Sequence, residues 1–226
     1  SGLRARPVRL HISGRDEWHE FDAYPPGPPQ PRTWRLGADR ALVEDRTSVP
    51  GSDSYRYDPT DPTPNLGGAI FAFTSAGAVD NAPLEARRDV LVYTGPVLLQ
   101  QLTIIGQCKI KLRAKASLPN VDFFVRLNDV DPNGISRNIC DGLLHVTPDT
   151  TPAHDGTWLL SLQLHATAHA FLPGHRLRLL IASGAHPRYA RNPGTGEPIN
   201  TAQTLAANDI EIFHDGTSIT LPTYII

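Results

Sequence analysis

The fold is decided by residues 118–144, which read LPNVDFFVRLNDVDPNGISRNICDGLL. Apolar and polar residues alternate over 121–128, with Phe124 on the otherwise polar side, and this period of two predicts a β-strand. Residues 131–134, Asp-Pro-Asn-Gly, predict a turn, because proline presets its first φ angle and Asn-Gly tolerates positive φ. A second strand is expected from Ser136 onward. The stretch therefore predicts a β-hairpin whose strands are partly apolar on both faces, as in the middle of a two-sheet stack.

Strand patterns recur along the rest of the chain. Residues 102–116 predict one strand with a basic row facing solvent, and residues 157–170 predict another whose apolar side chains face inward. A final hairpin is expected over 210–226, whereas 41–68 is expected to be a long loop. Short strands separated by turn-forming Gly and Pro, which number 18 and 21, favour a single all-β domain, a sandwich or barrel, over 1–226.

Composition argues against several classes of function. The chain has 226 residues, with 21 Lys and Arg against 23 Asp and Glu and no basic block, so nothing points to nucleic acid. No apolar run approaches the roughly 20 residues that span a bilayer, so no membrane association is expected. Cys108 and Cys140 do not make a disulfide framework and are expected to be buried apolar residues, which favours a reduced, cytoplasmic setting. The sequence lacks methionine and is expected to be a piece of a longer polypeptide.

Metal and cofactor chemistry finds little support in the sequence. The spacing of His165 and His169 would suit a metal ion on a helix, but in a strand, at about 3.3 Å per residue, their Cα atoms would be roughly 13 Å apart. Two imidazoles so far apart do not easily share an ion whose bonds are about 2 Å long. We therefore expect both histidines to be exposed and predict no metal ligands. The chain also lacks phosphate-binding and dinucleotide-binding motifs, so no cofactor is expected.

The motif of a serine nucleophile is also missing. A nucleophile elbow requires Gly-x-Ser-x-Gly, and the nearest matches, around Ser136 and Ser218, lack the second glycine and fall in predicted hairpins. Four carboxylates cluster in sequence: Asp122, Asp129, Asp131 and Asp141. We interpret them as turn-flanking residues that bond to the local backbone, with a glycosidase-like pair as the less favoured alternative. The residues by themselves thus predict no catalytic residue in this chain.

Short motifs follow one another in a specific order along nearly the whole chain. They are Val8-Arg9-Leu10, Gly14-x-Asp16-Glu17-Trp18, Tyr57-Asp58-Pro59-x-Asp61-Pro62-x-Pro64-x-x-Gly67-Gly68, Asp89-Val90-Leu91-Val92-Tyr93-Thr94, Asn138-x-Cys140-Asp141-Gly142, Phe171-x-x-Gly174-His175-Arg176-Leu177 and Leu221-Pro222. In content, order and spacing the chain resembles the C-terminal domain of X-Pro dipeptidyl-peptidases and of cocaine-esterase-like acyl hydrolases, the CocE/NonD family.

This resemblance implies a jelly-roll-like, galactose-binding-like antiparallel β-sandwich attached to an α/β-hydrolase catalytic domain of the same polypeptide. In such enzymes a serine, a histidine and an aspartate of that other domain cleave a small ester or amide substrate. The sandwich packs on the catalytic domain and helps to wall the substrate cleft. The matching segment here is 67–73, with Ile70, Phe71 and Phe73 as the apolar candidates, and plain core or interdomain packing is the alternative for each.

Other functions remain open at this point. A free-standing carbohydrate- or ligand-binding jelly-roll module would use Trp18, Trp34 and Trp158 for stacking, although the strand pattern turns Trp158 inward. A metal-dependent enzyme using His165 and His169 is the weakest hypothesis. Separated from its catalytic domain, the chain is expected to expose an apolar patch and to self-associate.

Overall fold

The structure, a computed structural model, describes residues 6–44, 50–71 and 76–226. Its regular elements are almost all strands, as the alternating patterns predict. They are β1 (Val8–Ile12), β2 (Glu17–Phe21), β3 (Gln30–Leu36), a 3-10 turn (Ala38–Arg40), β4 (Leu42–Val43), β5 (Ser52–Tyr57), the short helix α1 (Ala82–Glu85), β6 (Leu91–Thr94), β7 (Leu102–Gly106), β8 (Lys109–Ala116), β9 (Val121–Val130), β10 (Ser136–Val146), β11 (Trp158–Gln163), β12 (Thr167–Phe171), β13 (Arg176–Ala182), β14 (Asn208–Phe213) and β15 (Ser218–Tyr224).

Two antiparallel sheets enclose the main core. The smaller sheet has the order β10-β9-β13-β6, and the larger follows β12-β7-β15-β8-β14-β5, with β11 on β8 and β3 on β15. Side chains from both sheets share one buried cluster, which includes Phe123 and Leu179 from the first and Ile110 and Ile212 from the second. Burial of these apolar side chains is the main force that holds the sheets together. The predicted all-β sandwich is confirmed.

The central hairpin forms as predicted. Strands β9 and β10 pair antiparallel from Val121↔Val146 to Val130↔Ser136, with a register shift between Asn138 and Cys140. Every residue of β9 is buried. Its inner side enters the core, and its opposite side, which carries Arg126, lies under the chain that precedes α1. A strand with two buried faces explains the mixed polarity of its sequence.

The two long strands predicted over 102–116 and 157–170 are each divided. Gly106, at a φ of +117°, and the next two residues separate β7 from β8. Residues 164–166 separate β11 from β12, so β11 pairs with β8 whereas β12 pairs with β7. The period-two pattern runs through the first break, where Ile104 and Ile110 both face the main core. Across the second break the side that faces the main core changes from that of Leu164 to that of Phe171, and Ala170 packs in a separate cluster.

Two further expectations are wrong. The region 41–68 is not all loop, because it contains β4 and β5, and β5 pairs with β14 across Tyr55↔Ile210. The end of the chain is not a hairpin either. Strands β14 and β15 both pair with β8, β14 near Ala116 and β15 near Lys109, so they lie one after the other along that strand. The Asp215-Gly216 turn only redirects the chain.

Candidate functional site

The predicted cleft-wall segment forms a loop at the surface, here called the projecting loop (residues 67–71). Its base is closed by reciprocal backbone hydrogen bonds between Gly68 and Gly77, of 2.7 and 2.9 Å. Ile70 is half-buried and donates its N–H to the carbonyl of Gly68 at 2.9 Å. The side chain of Phe71 is 100% exposed. Phe73, the third candidate, lies outside the residues that the structure describes.

A buried arginine holds the arm of chain that enters the projecting loop. Arg126, on β9, is 0% exposed. Its Nη1 donates to the carbonyl oxygen of Leu66 and to Oδ1 of Asn81, the second at 2.8 Å. Its Nη2 donates to Asn65 at 3.4 Å and to Oδ2 of Asp141 at 2.9 Å. One guanidinium therefore joins the hairpin strands to the chain on both sides of the loop.

The arm that leaves the loop is held by Asn138, on β10. Its Nδ2 donates to the carbonyl of Gly77 at 2.9 Å, and its Oδ1 accepts from the N–H of Val79 at 3.0 Å and from Asn81 at 3.1 Å. Asn81 also donates to the carbonyl of Val79 at 2.8 Å. Both arms therefore rest on side chains of the β9–β10 hairpin, and the exposed tip stands on a hydrogen-bonded base.

The glycines at the base are required by space as well as by backbone angle. Gly67 has a φ of +63°, and a Cβ there would lie 2.6 Å from Oδ1 of Asn138 and 2.6 Å from the carbonyl oxygen of Gly77. Such a contact is too short for any real side chain. The backbone at this point therefore lies directly against the polar groups that hold it.

The charges beneath the loop are two guanidinium groups and one carboxylate. Asp141, on β10, accepts from Arg126 and, at 2.8 and 2.9 Å, from Nη1 of Arg188. Burial lowers the pKa of Arg126, and the charge of Asp141 and its hydrogen bonds act in the opposite direction. A buried charge is costly unless it is paired and hydrogen-bonded, and here each Arg126 nitrogen has a partner.

A cavity of about 690 Å³ opens beside the projecting loop, and Gly68 and Ala69 form part of its wall. On its floor, Asp129 meets Nε2 of His169 at 2.9 Å and Nδ1 of His175 at 2.8 Å. Ser13 lies 2.9 Å from Nδ1 of His169. Asp129 lies on β9, His169 on β12 and His175 just before β13, so this cluster fixes strands of both sheets at the loop's end of the molecule.

The structure corrects the interpretation of the carboxylates and of one histidine. Only Asp131 of the four clustered aspartates caps a turn, where it accepts backbone N–H bonds from Asn133 and Ile135. The other three lie within strands, buried and paired with arginine, histidine or asparagine side chains: Asp122, Asp129 and Asp141. His169 is 3% exposed rather than solvent-facing, because the strand break before β12 turns it toward Asp129.

The structure also shows where the serine and tryptophan candidates of the alternative functions lie. Ser136 is fully buried and donates to Oε1 of Glu85, and Ser218 is buried in β15. Trp34 and Trp158 are buried, at 1% and 6% exposure, which leaves Trp18 as the exposed stacking candidate of the three. Over the described ranges, no group of at least three His, Cys, Asp or Glu side chains is arranged to hold a metal ion. Within the same ranges, no helix is both long and apolar enough for a membrane span.

Comparison with known proteins decides the family. A family model described as the X-Pro dipeptidyl-peptidase C-terminal non-catalytic domain matches residues 3–219. The chain belongs to this family. The resemblance predicted from the sequence motifs is thereby confirmed. Among curated proteins, the chain is 32% identical over 213 residues to cocaine esterase from Rhodococcus sp. (strain MB1 Bresler), and 29% identical over 215 residues to a putative serine esterase of Mycobacterium bovis.

Solved structures share the fold. An aminopeptidase from a marine sediment archaeon (Thaumarchaeota) superposes with a TM-score of 0.86 at 24% identity over 99% of this chain, and an α-amino acid ester hydrolase with 0.84 at 23% over 96%. The match covers 41% of each of those chains. Likewise, the chain spans 37% and 34% of the length of the two curated esterases.

Sequence patterns do not single out the side chains that support the projecting loop. Arg126 occupies an ordinary polar position of an alternating strand, and Asn138 and Asp141 stand in a motif that indicates family rather than role. One signal is available. Phe124 stands on the same side of the strand as Arg126, which indicates that this side is covered as well, and a charged residue there then has to be paired.

Proposed function

We propose that this chain is the non-catalytic C-terminal domain of a larger serine hydrolase, a dipeptidyl-peptidase or acyl esterase. It packs on the α/β-hydrolase catalytic domain of the same polypeptide and helps to wall the substrate cleft through Ile70, Phe71 and Phe73. The observation that carries the proposal is the full exposure of Phe71 on a loop whose base is held by buried polar groups. The family match and the partial coverage of the esterases support it.

The energetics favour a partner for this loop. Burying a fully exposed phenylalanine side chain yields about 2 kcal/mol, and large aromatic side chains dominate the energetics of interfaces. Placed against a catalytic domain, the tip of the loop excludes water from one side of a cleft and offers an apolar surface to an acyl group.

We further propose that residues 1–226 form one domain, that the complete enzyme acts on a small ester or Xaa-Pro amide in the cytoplasm, and that the chain separated from its catalytic domain self-associates. The proposal assigns the nucleophile, its histidine and its aspartate to the catalytic domain. Its support is the sequence of this chain, which lacks a nucleophile elbow.

Phe71→Ala in the full-length enzyme tests the proposed wall. We expect kcat/KM for an ester with a bulky acyl group, such as p-nitrophenyl benzoate, to fall about tenfold relative to p-nitrophenyl acetate, because the larger acyl group loses more contact. Leu159→Ala is the matched control, since Leu159 is also exposed, at 72%, but lies on β11. Equal benzoate-to-acetate ratios of kcat/KM in wild type and Phe71→Ala would show that Phe71 does not line the substrate cleft.

A further inference from the structure

We infer that Arg126 is a positioning residue for the hydrolase reaction: it sets where the projecting loop holds Ile70 and Phe71, and so tunes the enzyme's selectivity for acyl size. The inference rests on the proposed function, because it gives a role to the same loop. It goes further in that it assigns this role to a buried residue that lies behind the loop.

The reach of the guanidinium is the first argument. Arg126 donates to Leu66 and Asn65 on the entering arm and to Asn81 beyond the leaving arm, while its Nε and Nη2 bind Asp141 on β10. A planar fork with several fixed donors can hold these acceptors together, whereas the single ammonium of lysine cannot. The position of the loop is therefore coupled to the central hairpin through one side chain.

The buried ion pair between Arg126 and Asp141 is not in itself a reason to keep an arginine at this position. Replacing a buried ion pair by apolar residues of similar volume is often neutral or stabilising, so a buried pair is weak evidence of a stability role. Arg126 has no exposed surface and its partner Asp141 is 3% exposed. Arg126 does more than pair with Asp141, because three of its hydrogen bonds end on the chain at either side of the loop, at Leu66, Asn65 and Asn81. We attribute its role to the placement of those arms.

The closeness of the loop backbone is the third argument. A Cβ on Gly68 would lie 3.0 Å from Nη1 of Arg188, 3.2 Å from Asp141 and 3.4 Å from Nη2 of Arg126. The glycine backbone therefore rests on the charge cluster without intervening side chains. Arg126 also donates to Leu66 and Asn65, so a shift of its fork passes to the residues that precede Ile70 and Phe71. In the described ranges the hydrogen bonds of Arg188 end on Asp141 instead. A displacement of about 1 Å at a substrate contact can change a rate by up to about a hundredfold.

The test uses the full-length enzyme with Arg126→Met, which keeps length but removes the donors, and Arg126→Lys, which keeps the charge but loses the fork. Arg188→Met is the matched control, because Arg188 shares the partner Asp141 and donates its bonds to that carboxylate. We expect both Arg126 variants to lower the benzoate-to-acetate ratio of kcat/KM about tenfold, with the Arg188 variant close to wild type. Proteolytic cleavage at residues 69–71 should rise in the Arg126 variants only.

The outcomes separate the two proposals. If Phe71→Ala leaves the benzoate-to-acetate ratio of kcat/KM unchanged, the proposal that the loop walls the cleft is wrong. If Phe71→Ala lowers the ratio while folded Arg126→Met and Arg126→Lys keep the wild-type ratio and cleavage pattern, the positioning role is overturned and the wall stands. An equal fall in Arg188→Met also overturns it, because the effect would then belong to the charge cluster as a whole. Where Arg126→Met does not fold, Arg126→Lys decides.

Discussion

Gly67 shows at the scale of one residue how the loop is specified. Its φ of +63° would cost any other residue about 1–2 kcal/mol, and the contacts that a Cβ would make with Asn138 and Gly77 add to this cost. We expect Gly67→Ala to lower the free energy of unfolding by about 3 kcal/mol, measured by urea denaturation. Gly134→Ala is the control, since Gly134 has a φ of +85° and no atom within 4 Å of the added Cβ. Equal losses in the two variants would show that crowding at Gly67 plays no part.

Asp53 should make part of the stability depend on pH. Partial burial acts to raise the pKa of Asp53, but hydrogen bonds from His214 and Tyr93 and the charge of Arg40 outweigh it, so the pKa lies below its ordinary value. A carboxyl with a lower pKa in the folded chain contributes stability above about pH 4, the pKa of an unperturbed aspartate, and this contribution is lost as the pH falls through the folded value.

The corresponding variant is Asp53→Asn. We expect it to lower the free energy of unfolding at pH 7 by about 2 kcal/mol, because His214, Tyr93 and Arg40 all donate to this carboxylate. The difference from wild type should shrink as urea denaturation is repeated at pH values down to about 3. A difference that stays constant over this range would contradict the assignment.

The two cysteines are expected not to react with alkylating reagents in the folded chain. Cys108 is 0% and Cys140 7% exposed, and both thiols are free, which confirms their prediction as buried residues. A hydrogen bond with Cys108, together with burial, raises the pKa of Cys140, and the thiolate is the form that reacts. We expect no labelling by iodoacetamide at pH 8 in the native chain and complete labelling in 6 M guanidinium chloride. Rapid native labelling of Cys140 would contradict this packing.

At the scale of elements, Asp129 joins strands of both sheets through His169 and His175. An amide offers an acceptor oxygen on one side and an N–H₂ donor on the other, so in Asp129→Asn one of the two imidazole nitrogens faces a donor instead of a carboxylate oxygen. We expect a loss of about 2 kcal/mol in the free energy of unfolding, measured in urea. Asp16→Asn is the control, because Asp16 pairs with His11 but is 94% exposed, and its loss should stay within about 0.5 kcal/mol. Similar losses in both would mean that the buried cluster is no stronger than a surface pair.

The elements that sequence predicts correctly are those whose partner is local. The β9–β10 hairpin follows from alternation plus the turn at 131–134, because a short turn fixes the pairing of its two strands. The pairing of β14 and β15 with β8 depends on distant residues, and the turn at Asp215-Gly216 carries no information about it. Strand β5 has a clear alternation of Tyr55 and Tyr57, but its proline-rich flank favours a loop.

The candidate site is predictable only in part for a similar reason. Ile70 and Phe71 follow from the family motif that ends in Gly67-Gly68. The hydrogen bonds from Arg126 to Leu66 and Asn81 join residues about 45 to 60 positions apart in sequence. No local sequence pattern encodes such a contact. His169 likewise acquires its buried partner from a strand break that alternation does not reveal.

At the scale of the whole molecule, the reactive serine is expected in the catalytic domain and not in this chain. The chain belongs to a family of non-catalytic domains, and in the described ranges the buried carboxylates Asp122, Asp129 and Asp141 pair with histidine or arginine side chains instead of lining up behind an exposed serine. A sandwich of this kind supplies a rigid surface, and the chemistry is assigned to the proposed catalytic domain. The location of the reactive serine in the full-length enzyme is therefore what separates this account from its rivals.

Labelling of the full-length enzyme with a fluorophosphonate, followed by peptide mapping, measures that location directly. We expect one labelled serine in the catalytic domain, in a Gly-x-Ser-type elbow, and none among residues 1–226. The isolated chain, given activated esters and Xaa-Pro amides, should show no turnover above background. A fluorophosphonate adduct on a serine of this chain, with turnover abolished by the same reagent, would contradict the account.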